Sequence, residues 1–334
     1  MRLAVSIDAE GDNQWVHGAP LTTQNVAFWQ PFMDLCDRYG VRPTYLVTSE
    51  IIEDPIAAQL LSRWRADHRI EVGAHLHPWS TPPFLDEPGL RSNDSAHPFP
   101  SDLQEELLHA KLAALTEQIE ARVGLRPTSF RAGRFGFDTK CARVLTDLGY
   151  LVDSSVTPLV SWRETPGLPG GPGGPDFRAS PVTPFLIAGA GGEGLLELPV
   201  TIMHTSWWTR RYSWTEALNH SRPWHAAKRL LHRGRGLPSP LWLRPIPGVR
   251  ASDLERLWRV AEADGVETLV MMFHSSELMP GCSPYRPTEG SISALFLLFD
   301  EFFDFVGKSG GTFATLSEAA RETLAAASPP VLRL

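Results

Sequence analysis

Few cysteines, no excess of basic residues and no long apolar run narrow the classes of protein that this sequence can encode. The 334 residues contain three cysteines, Cys36, Cys141 and Cys282, which are far apart and form no CxxC pair. They predict neither a zinc knuckle nor a disulfide framework. Acidic side chains outnumber basic ones, 38 to 31, for a formal net charge of -7. Because nucleic-acid-binding proteins are usually basic, we expect no nucleic-acid partner.

The apolar stretches are short. The longest, residues 294–306, is interrupted by Asp300, Glu301 and Asp304, so we expect no transmembrane segment. The N-terminus shows no positively charged region followed by an apolar one, and the first predicted strand begins at residue 3. We therefore expect no signal peptide and a cytoplasmic protein. None of these features specifies the oligomeric state.

Short apolar runs rich in strand-forming residues alternate with amphipathic helical runs, which is typical of βα units around a parallel sheet. A hydrophobic content of 43% and a charged content of 21% are those of an ordinary globular domain. Strands are predicted at residues 3–7, 44–47, 70–74, 129–132, 151–153, 195–203, 268–273 and 313–315. Helices are predicted at residues 25–39, 55–65, 102–122, 138–148 and 291–306.

Two segments depart from this alternation. Residues 160–190 contain a run of proline and glycine that can form neither a helix nor a central strand. Residues 205–250 are rich in tryptophan and arginine, which indicates either a surface for sugars and anionic groups or packing of the segment on the fold. Because strands resume after each segment, we expect a single domain at 1–320 with an insertion at about 160–250, followed by a C-terminal tail at 321–334.

Residues able to do chemistry lie at the C-terminal ends of five predicted strands or just after them. In chain order they are Asp8 with Glu10 and Asp12, His75 with His77, Arg131, Asp153, and His274. Open α/β sheets and α/β barrels place their chemistry at the carboxyl ends of strands, where these residues stand. Residues i and i+2 of an extended backbone point the same way, so both imidazoles of a His-x-His pair can reach one metal ion.

Taken singly, each of these residues has a structural explanation. Asp8 or Asp153 could cap a helix or a turn. Arg131 could be a surface charge, and His274 could be a buried core histidine. Together they favour a catalytic site, because two histidines and a carboxylate form a metal site with positions open for water and substrate. A further carboxylate, histidine and arginine complete the groups needed for metal-assisted hydrolysis.

Five sequence motifs carry a resemblance to a known family. They are Val5-Ser-Ile-Asp-Ala-Glu-Gly-Asp12, Glu71-Val-Gly-Ala-His-Leu-His-Pro78, Phe130-Arg-Ala-Gly-Arg134, Gly149-Tyr-Leu-Val-Asp-Ser-Ser155 and Met272-Phe-His274. In order and context they resemble the motifs of the polysaccharide deacetylase family, also called carbohydrate esterase family 4 or the NodB homology domain. The resemblance covers about residues 1–160 and 195–320. It implies an α/β fold, an irregular (β/α)7 barrel in which the Pro/Gly- and Trp/Arg-rich segment is an insertion.

Within that family the chain is most similar to the WalW-like group, which is associated with lipopolysaccharide biosynthesis. The run Phe273-His-Ser-Ser-Glu-Leu-Met-Pro-Gly281 and the long middle insertion carry this likeness. The resemblance implies hydrolysis of an N-acetyl group on an amino sugar of a glycan or glycoconjugate. The expected partner is therefore a carbohydrate, and an anionic one would suit the arginines of the insertion.

The resemblance also implies roles for individual residues. A divalent metal ion, zinc, would be held by Glu10, His75 and His77; it would polarise the acetyl carbonyl and lower the pKa of a bound water molecule. Asp8 would accept a proton from that water as general base. Arg131 would pair with Asp8 and keep it ionised.

The remaining expected roles concern the leaving group and the substrate. His274 would protonate the leaving amine, and Asp153 would hydrogen-bond His274 and raise its pKa. Trp79, Arg134 and Glu277, which adjoin the motif residues, are expected to contact the substrate.

The sequence departs from the family pattern at three places. Ala9 separates the acidic pair that is usually adjacent in the first motif, which makes Glu10 the replacement ligand. The usual histidine spacing is four residues, whereas here the second histidine follows after two and position 79 is tryptophan. The usual proline of the third motif is absent, and Gly133 and Arg134 stand near its position.

Two other functions compete with deacetylation. A carbohydrate-binding relative that keeps the barrel and has lost the metal would account for the altered histidine spacing and the missing proline. A glycoside hydrolase would use Asp8 and Glu10 as paired carboxylates. Two residues of one strand end are too close together to flank a glycosidic bond, and His75 and His77 would then have no role. Bound metal distinguishes the first alternative from the deacetylase.

Overall fold

The computed structural model describes residues 1–12, 14, 21–84, 97–189, 194–205, 240–326 and 329–334. The strands in these ranges are β1 (Arg2–Ala9), β2 (Thr44–Val47), β3 (Glu71–Leu76), β4 (Ser129–Ala132), β5 (Val152–Asp153), β6 (Phe185–Ile187), β7 (Leu195–Glu197), β8 (Ile202–Met203), β9 (Leu241–Trp242), β10 (Thr268–His274), β11 (Thr312–Ala314) and β12 (Val331–Leu332). The helices are α1 (Trp29–Tyr39), α2 (Ser49–Glu53), α3 (Pro55–Ala66), α4 (Glu105–Val123), α5 (Thr139–Asp147), α6 (Ala251–Ala263), α7 (Glu289–Lys308) and α8 (Leu316–Ala326).

Ten strands form one sheet in the order β10-β1-β2-β3-β4-β5-β7-β6-β12, with β11 paired to the start of β1. Neighbouring strands are parallel except β6 and β7. β8 and β9 form a separate antiparallel pair. The neighbouring strands β1 and β10 are buried almost throughout, which explains their near-continuous apolar sequences.

Long-range backbone hydrogen bonds curl the sheet. After β7 the chain continues through Thr201, whose N–H donates to the Val270 carbonyl of β10. Leu243, directly after β9, donates to the Thr201 carbonyl and accepts from Met272 of β10. The segment that follows β7 is thereby held beside β10, so the parallel strands curve around a common axis. Their carboxyl ends lie at the same end of the barrel, where α/β barrels place their catalytic residues.

Helices pack apolar stripes against this sheet. α4 lies against β3, and its buried apolar residues recur at the spacing of an amphipathic helix: Leu108, Leu112, Leu115, Ile119 and Val123. α1 and α7 meet at β10. There the Phe32 ring lies 5.1 Å from Phe273 and 5.2 Å from Phe299, measured between ring centroids. None of the helices in the described ranges combines the length and apolar composition needed to cross a membrane.

The predicted elements recur with shifted ends. β1 and β3 each extend two residues past the apolar runs predicted at 3–7 and 70–74, because the polar residues that follow still pair with neighbouring strands. The strand predicted at 195–203 is divided into β7 and β8, and Pro199, which has no N–H to donate, lies between them.

Some elements are not predicted from the sequence. Helix α6 is one of them. Its buried residues Leu254, Leu257 and Trp258 have helical spacing, but the alternation of strands and helices does not by itself predict a helix there. The end of α8 and all of β12 occupy residues 321–334, predicted as a tail, and β12 pairs with β6. Residues 206–239 of the predicted insertion lie outside the described residues.

Replacing Leu112 with alanine should lower the free energy of unfolding by about 2–5 kcal/mol, because the side chain is fully buried. The matched control is Leu125→Ala, since Leu125 is 57% exposed; it should change stability by no more than about 0.5 kcal/mol. Chemical denaturation of both variants measures the difference. Similar losses in the two variants would show that α4 does not pack as described.

Candidate metal and catalytic site

Strand register brings residues that are distant in sequence to one level of the sheet. The side-by-side pairs at the carboxyl ends are Asp8 with His274, His75 with Arg131, and Asp153 with Glu197. Glu10 and His77 follow directly after β1 and β3. The predicted residues therefore share one buried region, although their individual contacts differ from the prediction in several cases.

The buried side chains of Glu10, His75 and His77 place potential metal-ligand atoms close together. Nε2 of His77 lies 2.8 Å from Oε2 of Glu10, and Nε2 of His75 lies 3.8 Å from the same oxygen. The ligand atoms of the three residues all lie within 4.8 Å of one another. One carboxylate and two imidazoles in this arrangement could hold a metal ion and leave further coordination positions open.

A hydrogen bond to the backbone orients His75 for metal binding. Nδ1 donates to the carbonyl of Arg131 at 2.9 Å, which leaves the lone pair of Nε2 directed toward Glu10. Burial lowers the pKa of His75 to about 4 and that of His77 to about 3. Both rings are therefore neutral near pH 7, the form in which histidine binds a metal.

Glu10 occupies a position that disfavours its charge unless a cation balances it. Its side chain is almost fully buried, and burial raises its pKa by more than the imidazoles of His274 and His75 lower it. A divalent cation among the three ligand atoms would favour the ionised carboxylate. The donor set of Glu10, His75 and His77 therefore fits a divalent metal ion.

Asp8 and Arg131 form a buried ion pair. Nη1 of Arg131 donates to Oδ1 of Asp8 at 2.6 Å, and both side chains are at most 3% exposed. Burial raises the pKa of Asp8, but the guanidinium and the neighbouring imidazoles outweigh it and lower the pKa to about 2. Arg131 is itself held by the Ser154 carbonyl and the Ser6 hydroxyl. The carboxylate is therefore ionised and fixed, with Oδ2 lying 4.0 Å from Nε2 of His274.

His274 lies beside the ligand cluster. Nε2 lies 3.7 Å from Oε1 of Glu10, and on the other side of the ring Nδ1 accepts from Nη2 of Arg244 at 3.0 Å. A guanidinium can only donate and a carboxylate can only accept, and Oε1 of Glu277 lies 3.4 Å from the same Nδ1, so a donor and an acceptor both face this side of the ring. Nε2, on the opposite side, faces Glu10 and Asp8.

Two predicted roles are corrected by these contacts. The carboxylate beside Nδ1 of His274 is that of Glu277, at 3.4 Å, and not that of Asp153. Asp153 instead accepts from the N–H and the hydroxyl of Ser155 and lies against Glu197, because β5 is placed between β4 and β7. Glu277, predicted to contact the substrate, is fully buried and accepts from Arg244 at 3.2 Å.

Trp79 lies beneath the site and not on a substrate surface. It is 3% exposed, and its ring lies 4.3 Å from the His77 ring at an interplanar angle of 33°. The Arg134 guanidinium lies 4.8 Å from the centre of the Trp79 ring. A ring buried in this way cannot stack on a sugar from solution, which corrects the predicted role of Trp79. Contact of the partly exposed Arg134 with a substrate stays a prediction.

Asp12 is the structural member of the first acidic motif. Its carboxylate accepts from the N–H groups of Gln24 and Asn25 at 2.6 and 2.9 Å and from the Thr22 hydroxyl at 2.8 Å. These bonds satisfy the first N–H groups of the short 3-10 helix Gln24–Phe28. Asp12 therefore joins the end of β1 to the start of this 3-10 helix.

Two buried charged residues of this region, Arg244 and Glu197, are not predicted from the sequence. Arg244, which contacts His274, stands just after β9 at the end of the Trp/Arg-rich segment. Glu197 ends β7 and lies against Asp153; burial and the nearby Asp153 carboxylate raise its pKa well above its ordinary range. The criterion that selects Asp8, an acidic residue at the end of an apolar run, does not select Glu197, because Glu197 lies inside the run 195–203 that is predicted as one strand.

The chain resembles known proteins in fold and not in sequence. No protein-family model matches it, and no curated protein sequence does. A solved structure from Mycobacterium smegmatis, of a protein named as a polysaccharide deacetylase, matches 100% of this chain and 93% of its own at 16% identity and a TM-score of 0.55. At that identity the likeness shows the fold alone. The α/β prediction, an irregular barrel of the polysaccharide deacetylase type, is confirmed.

Two further solved structures match with lower scores. A 4-alpha-glucanotransferase from Thermococcus litoralis is 12% identical, with 99% of this chain and 39% of that chain covered and a TM-score of 0.49. A family 4 acetyl xylan esterase from Clostridium thermocellum is 13% identical, with 99% and 95% covered and a TM-score of 0.43. At such scores neither match supports a conclusion about this chain.

The carboxyl group of Asp8 should titrate near pH 2 and not near its ordinary pKa of 3.8. Because its pKa is lower in the folded than in the unfolded state, the ionised group stabilises the fold above about pH 4 by about 2 kcal/mol. That contribution is lost as the pH falls toward 2. Carbon NMR of the carboxyl group measures the titration directly. In Arg131→Met the pKa should rise above 3.8, because burial then acts without the guanidinium; an unchanged value would contradict the role of the ion pair.

Proposed function

We propose that the chain is a metal-dependent carbohydrate N-deacetylase, a hydrolase that removes an N-acetyl group from an amino sugar of a glycan or glycoconjugate. The observation that carries the proposal is the meeting of three parts in one buried site: a ligand cluster, an ionised carboxylate paired with arginine, and a histidine whose Nε2 faces both. These are the parts that metal-assisted amide hydrolysis requires. The fold shared with a protein named as a polysaccharide deacetylase also supports it.

The metal ion would be zinc, held by Oε2 of Glu10 and by Nε2 of His75 and His77. When bound, such an ion polarises a carbonyl group and lowers the pKa of water toward neutrality. The chain supplies neutral imidazoles and a buried carboxylate whose ligand atoms are already within 4.8 Å of one another. Little rearrangement would be needed to bind the ion.

Asp8 would serve as the general base. Oδ1 is held by Arg131, so the carboxylate cannot rotate freely, and Oδ2 remains to accept a proton from the attacking water. The low pKa of Asp8 keeps the base ionised at neutral pH. A group with so low a pKa also releases an accepted proton readily, which favours transfer onward to the leaving amine.

His274 would protonate that amine. The acid would be the imidazolium form: its Nε2 proton would face Glu10 and Asp8, and its Nδ1 proton would be accepted by the Glu277 carboxylate at 3.4 Å. Loss of the Nε2 proton to the amine would return the ring to neutral imidazole. General acid catalysis needs a proton within hydrogen-bond reach of the leaving nitrogen, and the ring presents it on the side of the ligand cluster. Glu277 and Arg244 hold the ring from behind.

Aromatic rings near the site suit a sugar substrate. Phe135, in the loop after β4, stacks on Trp162 at 5.3 Å, and Trp242 lies 6.4 Å from each of them. Trp162 and Trp242 are partly exposed, and such ring faces bind sugars by stacking. We infer a substrate of lipopolysaccharide or cell-surface polysaccharide biosynthesis, as in the WalW-like group, and an anionic glycan would suit the arginines of the insertion.

Replacing Asp8 with asparagine should reduce deacetylation by about 10²–10⁴-fold, because the general base is removed. Zinc binding should be retained, since Asp8 is not among the three ligands. Acetate release from an N-acetylglucosamine oligomer and elemental analysis of the purified protein measure the two properties. Asp147→Asn is the matched control, because Asp147 is exposed at the end of α5. Full turnover in Asp8→Asn would exclude the assigned base.

Zinc added at 100 times its dissociation constant should stabilise the wild-type chain by about 2.7 kcal/mol, and this stabilisation should be absent in His75→Ala. His109→Ala, which changes an exposed histidine of α4, should behave as the wild type does. Thermal unfolding with and without zinc provides the measurement. A wild-type chain that neither contains a divalent ion nor gains stability from zinc would favour the carbohydrate-binding alternative without catalysis.

A further inference from the structure

The two histidines of the ligand cluster are held in different ways. Nδ1 of His75 donates to a backbone carbonyl, the usual device that fixes the ring of a metal-binding histidine. Nδ1 of His77 is buried and has no hydrogen-bond partner among the described residues. Apart from the contact of its Nε2 with Glu10 at 2.8 Å, the His77 ring is therefore oriented by the atoms that pack around it.

Close packing on several sides holds the His77 ring. The Trp79 ring lies 4.3 Å away with its plane tilted by 33°, and the His75 ring lies 4.8 Å away with its plane at 88°. The backbone of Gly133 completes the enclosure. A Cβ atom at position 133 would lie 2.4 Å from Nδ1 and 2.7 Å from Cε1 of His77, and 2.6 Å from the Leu76 carbonyl oxygen. Side chains essentially never make contacts this short, so only glycine admits the ring in this position.

Gly133 is required for space and not for backbone conformation. Its φ is not in the left-handed region, where glycine is favoured for conformational reasons. The next two residues, Arg134 and Phe135, do adopt left-handed φ values of 52° and 57°, which are strained for side chains of their size. This bend carries the Arg134 guanidinium over the Trp79 ring, whose neighbour is His77.

We propose that Gly133 and Trp79 are positioning residues that make His77 a metal ligand. Gly133 opens the space that the ring occupies, and Trp79 supplies the surface on which it lies. The inference rests on the proposed metal site, and it links two departures from the motifs of the resembled family that are separate in sequence. Gly133 stands near the usual proline position, and Trp79 stands at the usual second histidine position. Both pack against the His77 ring.

Zinc affinity tests this proposal without any measurement of turnover. Gly133→Ala and Trp79→Ala should each weaken zinc binding by about 10–100-fold, the usual effect of removing a residue that orients a ligand. Trp79→Phe should recover much of the loss, because it keeps a flat ring under His77. Gly307→Ala is the matched glycine control, since a Cβ atom there meets nothing within 4 Å. Competition titration with a chromophoric chelator gives the affinities, and the visible spectrum of the cobalt-loaded protein reports the change in ligand set.

A double variant separates positioning from a general loss of folding. If the His77 ring is what Gly133 accommodates, Gly133→Ala should cost less stability in a His77→Ala background than in the wild type. The Trp79 variants provide a second test should Gly133→Ala not fold. Wild-type zinc affinity in folded Gly133→Ala and Trp79→Ala would overturn the inference while leaving the metal site intact. A wild-type chain that binds no divalent ion would instead overturn the proposed function.

Discussion

The buried ion pair of Arg131 and Asp8 is the interaction on which the rest of the site depends. It joins β4 to β1 and holds Asp8 in its ionised form. The backbone carbonyl of the same arginine accepts the Nδ1 proton of His75 and so orients a proposed metal ligand. Removal of one partner from such a pair leaves a buried unpaired charge and costs about 3–5 kcal/mol. One residue therefore couples the expected base, a ligand and the stability of the sheet.

The departures from the family pattern are explained together by the geometry of His77. Glu10, displaced by Ala9, brings Oε2 to 2.8 Å from Nε2 of His77. Trp79 packs against the ring of that histidine, and the backbone of Gly133 leaves room for it. Substitutions that accumulate independently in a site without function would not be expected to give residues that pack around one ring in this way. The arrangement supports a rearranged metal site over a remnant of one.

Sequence patterns predict the strands and, with them, most of the residues that meet in the site. Apolar runs locate β1, β3, β4 and β10, and parallel topology makes their carboxyl ends converge. The patterns do not predict contacts that depend on how the sheet curls. His274 meets Arg244 and Glu277, and not Asp153, because long-range backbone bonds hold the segments around β8 and β9 beside β10. The burial of Trp79 is not predicted from the sequence either, because it depends on the path of the loop after β4.

A crystal structure with bound zinc would decide whether one ion is held by Glu10, His75 and His77. We predict a single anomalous peak in contact with Oε2 of Glu10 and with Nε2 of both histidines. The His77 ring should remain packed between Trp79 and the backbone of Gly133. An ion bound at other residues, or a His77 ring turned away from Glu10, would exclude this metal site.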